Sequence, residues 1–373
     1  MTQGPDRDAC DLRFPGLQAL RLIRREIERT RLDLTGLRVL TEAAVGYRRL
    51  TPAIAALAGA DQVYAVGRDS AVASRRDAEE QTAYFAGLAH VERRLTLLPT
   101  RLQAPLRTID VVTDLPGVRP VDESVIRNVA DTAAVTLMAG VDRWRPSDTD
   151  AATCRRQGVA VAGLDEEAVG LHRFTAQGVL HALLELGVEI TGSSIMVAGE
   201  ARALPYVVRA LTRSGGRVLV AAQATAGRIE LYGGEKAGDA LDDDAVVGRL
   251  SEADALVLCP AIAGTRLVGP GTRIDAVRLA AAAPHVAVVG LDAGDDLRAL
   301  ESAGLRCGAP GGPAGIFDLL PQALIARCAA GLKVAEVMTR ARRRGSSPLA
   351  AEQLAADEAH AELLPQDLRA LRR

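Results

Sequence analysis

The chain has 373 residues, of which 48% are hydrophobic and 25% are charged. This composition is typical of a folded protein with about two domains and excludes a chain that is disordered throughout. The 45 basic and 47 acidic residues give a formal net charge of −2, and 3% of the residues are aromatic. We therefore expect neither the broad cationic field nor the stacking platforms of nucleic-acid-binding proteins.

Targeting and cysteine features predict a cytoplasmic protein. The first 31 residues contain several charges and no apolar core, so no secretory signal is expected. The longest candidate apolar run, residues 133–141, is too short for a membrane span of about 18 residues or more. The five cysteines are widely spaced and odd in number, which argues against a disulfide framework or structural zinc. We expect reduced thiols and no bound metal, membrane or nucleic acid.

Strand and helix patterns alternate along the first half, as in parallel α/β folds. Strands are predicted at 37–40, 62–66, 109–113 and 159–162, with helices at 17–31, 51–58, 75–88, 122–134 and 148–156. We expect a helical leader over residues 1–34 and a flavodoxin-like αβ substrate domain over 35–165.

The second half repeats this alternation. A helical pattern over 172–188 predicts a linking helix within 166–190, and a Rossmann nucleotide-binding-like domain is expected over 191–315. Its strands are predicted at 194–198, 217–221, 255–259, 286–289 and 305–308. Residues 316–344 and a polar tail predict a C-terminal helical extension over 316–373. The predicted fold class is α/β, with two Rossmann-like parallel-sheet domains joined by a linking helix.

The junction after the strand at 194–198 is the main candidate for a cofactor site. Dinucleotide sites place G-x-G-x-x-G here, so that the backbone approaches the pyrophosphate. Gly199 takes the first glycine position, Ala201 the second and Leu204 the third. Arg202 is a candidate phosphate contact, whereas Glu200 opposes a pyrophosphate unless it points away or pairs with Arg202.

The end of the next strand normally carries an acid that binds the adenosine ribose of NAD. Gln223 stands near this position. It can hydrogen-bond a ribose hydroxyl, but it does not select NAD as a carboxylate would. Arg228, several residues later, is a candidate for accommodating the 2′-phosphate of NADP. The alternative is that this βαβ unit is a scaffold that binds no nucleotide.

Two stretches, residues 250–260 (LSEADALVLCP) and 265–269 (TRLVG), resemble a segment of the D-isomer-specific 2-hydroxyacid dehydrogenases and their phosphoglycerate dehydrogenase-like relatives. The order of elements over residues 37–308 is similar to that family as well. The resemblance implies a homodimer with NAD or NADP in an interdomain cleft, and Pro260 among the cofactor contacts. We expect the dimer interface in a helical segment at 122–144.

The catalytic residues of that family do not carry over. The family uses an arginine after a strand, then a glutamate and a histidine, but this chain has Asp292 at the arginine position. No histidine lies between His285 and His360. The chemistry is therefore either rebuilt with other residues or absent.

Loops after predicted strands of the first half supply other candidates, because ligands of parallel sheets bind at the carboxyl ends of strands. Glu42 is a candidate general acid or base, with Tyr47 or Arg48 as a substrate contact in the same loop. The alternative for this loop is a surface turn.

Two further loops and one helix complete the set. Arg68 and Ser70 are candidate contacts for a carboxylate or phosphate, the alternative being a helix cap formed by Asp69 or Ser70. Arg119 is the best candidate anchor for a substrate anion, the alternative being a structural pair with Asp114. His172 is a candidate acid or base near the hinge. The alternative is a structural histidine whose hydrogen bonds are satisfied at an interface.

These features favour an NAD(P)-dependent oxidoreductase of a small carboxylated metabolite, with specialised natural-product biosynthesis as one setting for it. The alternatives are a catalytically divergent ligand-binding or regulatory protein on the same scaffold, and an amino-acid or imine dehydrogenase that uses Glu42 and Arg119. Fold alone does not decide among them.

Overall fold

The computed structural model describes residues 16–223, 226–260, 266–269, 272, 274–291, 297–310 and 320–365. The chain divides into two compact units. The first comprises the described residues up to Val169 together with those from Pro321 onward, and the second spans Gly170–Leu320. None of the helices in these described ranges has the length and apolar character needed to cross a membrane.

The first unit is built on a seven-stranded sheet in the order β13-β6-β5-β4-β1-β2-β3. Its strands are β1 (Arg38–Glu42), β2 (Gln62–Val66), β3 (Leu95–Leu98), β4 (Val111–Thr113), β5 (Ala134–Thr136), β6 (Ala160–Leu164) and β13 (Ala361–Leu363). All neighbours pair in parallel except β13, which is antiparallel to β6.

The helices of the first unit come from both ends of the chain. They are α1 (Gly16–Thr30), α2 (Leu50–Leu57), α3 (Arg75–Leu88), α4 (Glu123–Ile126), α5 (Ala151–Gln157), α12 (Pro321–Arg343) and α13 (Pro348–Ala359). Helix α12 packs on α1, α2 and strands β4 to β6. Val135 of β5 packs with Ile126 and Cys154, on the side of α4 and α5. The next residue, Thr136, turns to the opposite face, as expected for alternating strand residues.

The segment 122–144 corrects one sequence prediction. The only α-helix there is α4, residues 134–136 form the buried strand β5, and residues 141–143 form a 3-10 helix. The helix predicted through residue 134 is therefore wrong, and a dimer interface in this segment stays a prediction. A short apolar run that is buried on both faces has no period that separates strand from helix.

The second unit is built on a six-stranded parallel sheet in the order β12-β11-β10-β7-β8-β9. Its strands are β7 (Ser194–Gly199), β8 (Arg217–Ala221), β9 (Glu235–Gly238), β10 (Ala255–Cys259), β11 (Ala287–Gly290) and β12 (Arg306–Gly308). Its helices are α6 (His172–Glu185), α7 (Leu204–Arg213), α8 (Ala226–Leu231), α9 (Asp244–Arg249), α10 (Ala276–Ala282) and α11 (Leu297–Ser302).

Alternation along the central strand divides the core of the second unit into two layers. Ile195 and Val197 of β7 belong to the layer formed with α6 and α7, whereas Met196 and Ala198 belong to the layer formed with α9, α10 and α11. The sheet is therefore covered by helices on both faces, which is the predicted α/β class and is confirmed.

Read from β3 and from β9, both sheets have the strand order 3-2-1-4-5-6 of doubly wound folds. In such sheets the order of the strands reverses between the first and fourth strands, and ligands bind beyond the carboxyl ends of these two strands. Ligand sites are therefore expected at the carboxyl ends of β1 and β4 in the first unit and of β7 and β10 in the second.

Candidate functional site

The loop after β7 makes a close approach that only glycine allows. Gly199 has a φ of +116°, and a Cβ atom there would overlap the carbonyl oxygen of Cys259 on the neighbouring strand β10. The amide of Ala201 donates a hydrogen bond of 3.0 Å to this same oxygen. The first glycine of the predicted motif is therefore required by backbone conformation and by packing.

The third glycine position is filled differently. Leu204 begins α7 and is fully buried in the core, so helix and sheet pack here through a side chain. The residue before it, Ala203, provides no side-chain cap for the helix. The start of α7 therefore lacks the capping side chain that many helices carry, and its partial positive charge faces the loop.

A cavity of about 420 Å³ lies at this end of the second sheet, which is a volume typical of small-molecule sites. Gly199 and Glu200 line it from the loop after β7, and Gln223 lines it from the end of β8. The segment after β9 closes a further side with Leu241 and Asp242. Arg266, Leu267 and Thr272 complete the lining on the side of β10.

The Glu200 carboxylate points towards the end of β8. Its Oε1 accepts a hydrogen bond from the backbone amide of Gln223. The carboxylate that opposed a pyrophosphate in the sequence motif is therefore directed to the position where a ribose is held in this fold. Gln223 itself is exposed at the rim of the cavity.

These residues fit the adenosine half of a dinucleotide. Ribose hydroxyls need acceptors, and Glu200 and Asp242 supply them. Leu241, which is 5% exposed, offers an apolar surface for a base. Among the predicted cofactor contacts, Gly199 and Gln223 line the cavity, Ala201 lies in the adjoining loop with exposed Arg202, and Pro260 is buried directly after β10.

His172 begins α6 in the second unit and is 7% exposed. Its ring centroid lies 5.6 Å from that of Tyr206 on α7. This aromatic contact accounts for the histidine as part of the packing of α6 on α7, and the catalytic assignment stays a prediction.

The first unit holds a buried acid at the end of β1. Glu42 is 3% exposed, and its Oε2 accepts a 3.2 Å hydrogen bond from the amide of Gly117. Its Oε1 has no hydrogen-bond partner among the described residues. Burial raises the pKa of Glu42, with the Arg48 charge as the strongest opposing influence. Burial therefore favours the protonated acid, which can hold and release a proton.

Three arginines act electrostatically on this acid. Besides Arg48, both Arg327 and Arg119 act electrostatically on Glu42. Arg327 lies on α12, and its Nε donates a hydrogen bond to the carbonyl oxygen of Met138, just after β5. Burial lowers the pKa of Arg327, and Arg48 adds to this effect, while Glu166 opposes it. We call Glu42, Arg48, Arg119 and Arg327 the anion cluster.

Arg119 is held by two carboxylates. Its Nε donates to Asp114, and its Nη1 lies 2.8 Å from Asp148 Oδ2. Asp114 is 2% exposed, and burial raises its pKa to about 6 against the opposing effect of Arg119. The structural pair that the sequence leaves open as the alternative is thus present, and substrate binding by Arg119 stays a prediction.

The other predicted contacts lie in loops at the same sheet end. Tyr47 belongs to the short 3-10 helix Gly46–Arg49 that follows β1. Arg68 Nη1 donates 2.8 Å to the carbonyl oxygen of Pro116 in the loop after β4. Ser70 accepts from the amides of residues 72 and 73, which makes it part of a turn. The N-cap residue of α3 is Ser74. Asp69 Oδ1 accepts a 2.7 Å hydrogen bond from the amide of Arg75, the first residue of α3, so Asp69 contributes to capping this helix, whereas Ser70 does not.

Sequence reasoning misses Arg327, because the pattern of residues 316–344 indicates only a helix. The available signal is that Arg327 is the single charged residue in the apolar, alanine-rich first half of this helix, residues 321–332. Glu200 enters the sequence motif only as an obstacle to a pyrophosphate. Asp292 and Thr265, which belong to the family comparison, lie outside the described residues.

No protein-family model matches this chain, and no curated protein matches it in sequence. Among solved structures it is similar to a dipicolinate synthase chain from Bacillus halodurans, with 16% identity, a TM-score of 0.53, and coverage of 83% of this chain and 98% of that chain. The corresponding dipicolinate synthase chain from Bacillus subtilis gives 14% identity, a TM-score of 0.54, and coverage of 84% and 98%.

The apo-structure of D-lactate dehydrogenase from Escherichia coli is similar too, with 12% identity, a TM-score of 0.50, and coverage of 84% of this chain and 99% of that chain. The chain has the fold of these proteins. The predicted resemblance to the D-isomer-specific 2-hydroxyacid dehydrogenases is therefore confirmed at the level of the fold.

Proposed function

We propose that this protein is an NAD(P)-dependent oxidoreductase that acts on a small carboxylated metabolite. The observation that carries the proposal is the cavity of about 420 Å³ at the carboxyl end of β7 and β8, the place where this fold class holds dinucleotides. Gly199, Arg202 and Gln223 are the residues that we assign to the nucleotide, together with Ala201 and Pro260. When bound, the nicotinamide supplies or accepts a hydride.

The anion cluster supports a carboxylated substrate. The guanidinium groups of Arg48 and Arg327 act electrostatically on Glu42, a carboxyl whose pKa is raised by burial. Guanidinium groups bind carboxylates through paired, charge-assisted hydrogen bonds. We assign Arg48 and Arg327 to the substrate carboxylate and Glu42 to proton transfer at the reacting oxygen.

The remaining assignments follow from position. Tyr47, Arg68 and Ser70 lie in loops at this end of the first sheet and are proposed as rim contacts, while Arg119 fixes the loop that donates the Gly117 amide to Glu42. His172 is retained as a second candidate acid. A homodimer and a biosynthetic role belong to the proposal and are open to measurement of the solution mass and of the product.

Titration of the full-length protein with NADH and NADPH tests the proposal. Nucleotide fluorescence should change with saturation, and the melting temperature should rise, because a ligand that binds only the folded state stabilises it. A protein that responds to neither nucleotide at millimolar concentration is not an oxidoreductase of this type. If binding is found, a panel of 2-oxo acids with the preferred nucleotide should identify a substrate class through the loss of NADH or NADPH absorbance.

A second function is favoured by the loop itself. Alanine and leucine replace two of the three motif glycines at positions 201 and 204, which is consistent with a ligand-binding or regulatory protein that has kept the dehydrogenase fold. The same titration separates the two, since only the oxidoreductase requires a nicotinamide nucleotide.

A further inference from the structure

We infer that Glu200 makes this protein select NAD(H) over NADP(H), in the role usually taken by an acid at the end of the second strand of the sheet. The inference rests on the proposed nucleotide site and goes beyond it by naming the form of the cofactor. It is carried by the hydrogen bond between Glu200 Oε1 and the Gln223 amide, which fixes a carboxylate at the carboxyl end of β8.

The position of the Glu200 carboxylate determines whether the site binds a ribose with a 2′-hydroxyl or one with a 2′-phosphate. In this fold the adenosine ribose lies at the end of the second strand, where an acid accepts from the 2′-hydroxyl and an arginine accommodates a 2′-phosphate. The chain has Gln223 at that strand end. Glu200 reaches the same place from the loop after β7 and lines the same cavity.

A carboxylate keeps accepting capacity after one hydrogen bond, because its two oxygens offer about four lone-pair sites. The hydrogen bond from the Gln223 amide fixes the direction of the Glu200 carboxylate at the end of β8. The Glu200 carboxylate is a favourable acceptor for a 2′-hydroxyl. A 2′-phosphate is repelled at short range, because both groups are negatively charged.

Two further acidic side chains lie on this side of the cavity. Asp239 and Asp242 line it from the segment after β9. Asp239 is paired with Lys236 at 2.5 Å, so the lysine of β9 is already engaged by an acid. The lining cation, Arg266, follows β10 in the sequence rather than β8. Among the described residues that line the cavity, the one cation therefore lies on the side of β10. The side chain of Arg228, the sequence candidate for a 2′-phosphate, lies outside the described part of the structure.

Isothermal titration of the full-length chain with NADH and NADPH tests the inference. The wild type should bind NADH at least about tenfold more tightly, a ratio equivalent to about 1.4 kcal/mol. Glu200→Gln keeps an acceptor for the Gln223 amide and removes the charge, so the ratio should fall to within about threefold. Glu301→Gln is the matched control, because Glu301 is exposed on α11, and it should keep the wild-type ratio.

A second measurement needs no variant. 5′-AMP should displace NADH from the wild type at least about tenfold more effectively than adenosine 2′,5′-bisphosphate, since the two differ at the ribose. Equal or tighter binding of NADPH and of the bisphosphate would overturn the role of Glu200 while leaving the nucleotide site intact. An unchanged ratio in Glu200→Gln would overturn it as well. Failure of the wild type to bind either dinucleotide would overturn the proposed function and this inference together.

Discussion

Asp114→Asn should remove a pH-dependent loss of stability from the first unit. Asp114 is 2% exposed, and burial raises its pKa from 3.8 to about 6. Between these values the folded state holds a proton that the unfolded state has released, so the free energy of unfolding falls as the pH rises. The penalty is absent below about pH 4 and complete above about pH 6.

The size of this penalty follows from the two pKa values. One pKa unit corresponds to about 1.4 kcal/mol, so the difference between 3.8 and about 6 amounts to about 3 kcal/mol. The asparagine side chain of the variant carries no charge at either pH. The variant should therefore gain about 3 kcal/mol relative to the wild type on going from about pH 4 to about pH 7.

Urea unfolding at about pH 4, 5, 6 and 7 measures this difference. The fluorescence of Trp144, the single tryptophan, reports on the unit that contains Asp114, because its indole nitrogen donates to the carbonyl oxygen of Thr149 in that unit.

Arg119→Gln provides the opposing variant. The Arg119 charge lowers the pKa of Asp114 in the folded state, so its removal should extend the decline in stability to higher pH while the decline still begins near pH 4. Parallel pH profiles for wild type and Asp114→Asn would refute the assignment of a buried, proton-binding carboxyl at this position.

Three other substitutions test the two sites. Gly199→Ala should lower the free energy of unfolding by at least about 2 kcal/mol, because a side chain is strained at a φ of +116° and its Cβ would overlap Cys259. Gly248→Ala, where a Cβ would meet nothing within 4 Å, should stay within about 1 kcal/mol of the wild type in the same thermal unfolding assay. Glu42→Gln should reduce turnover of the preferred 2-oxo acid at least about 100-fold while the Kd for NADH stays unchanged, since only proton transfer is lost; normal turnover would remove Glu42 from the mechanism. Arg327→Gln should weaken binding of oxalate, a minimal carboxylate probe, at least about tenfold by calorimetry, whereas the exposed Arg76→Gln should not.

The sequence predicts the fold where local patterns are unambiguous. Strands β2, β8 and β10 have their predicted bounds, because each is a short apolar run between turn residues. The edge strand β9, with Glu235 and Lys236 exposed, is missed because its charged sequence has no strand pattern. Strand β5 is missed for the opposite reason, as its residues are buried on both faces.

The C-terminal segment shows a limit of another kind. The prediction that residues 316–344 contain a helix is confirmed for α12, which spans Pro321–Arg343. Its packing against β4, β5 and β6, and the electrostatic effect of Arg327 on Glu42, depend on contacts between residues far apart in the sequence, such as Arg327 and Met138, which are 189 positions apart. No local pattern contains such information.

The site predictions divide in the same way. The order of strand, glycine and helix identifies the position after β7, and the close contact at Gly199 gives that glycine a physical reason. The orientation of Glu200 is not predictable, because a motif gives the position of a side chain along the chain but not the direction in which it points. That direction determines whether the acid repels a phosphate or binds a ribose.

Hydrogen–deuterium exchange of the full-length chain with and without NADH tests the central claim most directly. If the nucleotide binds at the carboxyl end of the second sheet, amides in residues 199–204, 221–223 and 239–242 should exchange more slowly when NADH is present. Protection confined to other segments, or none at saturating NADH, would contradict a nucleotide site in this cavity.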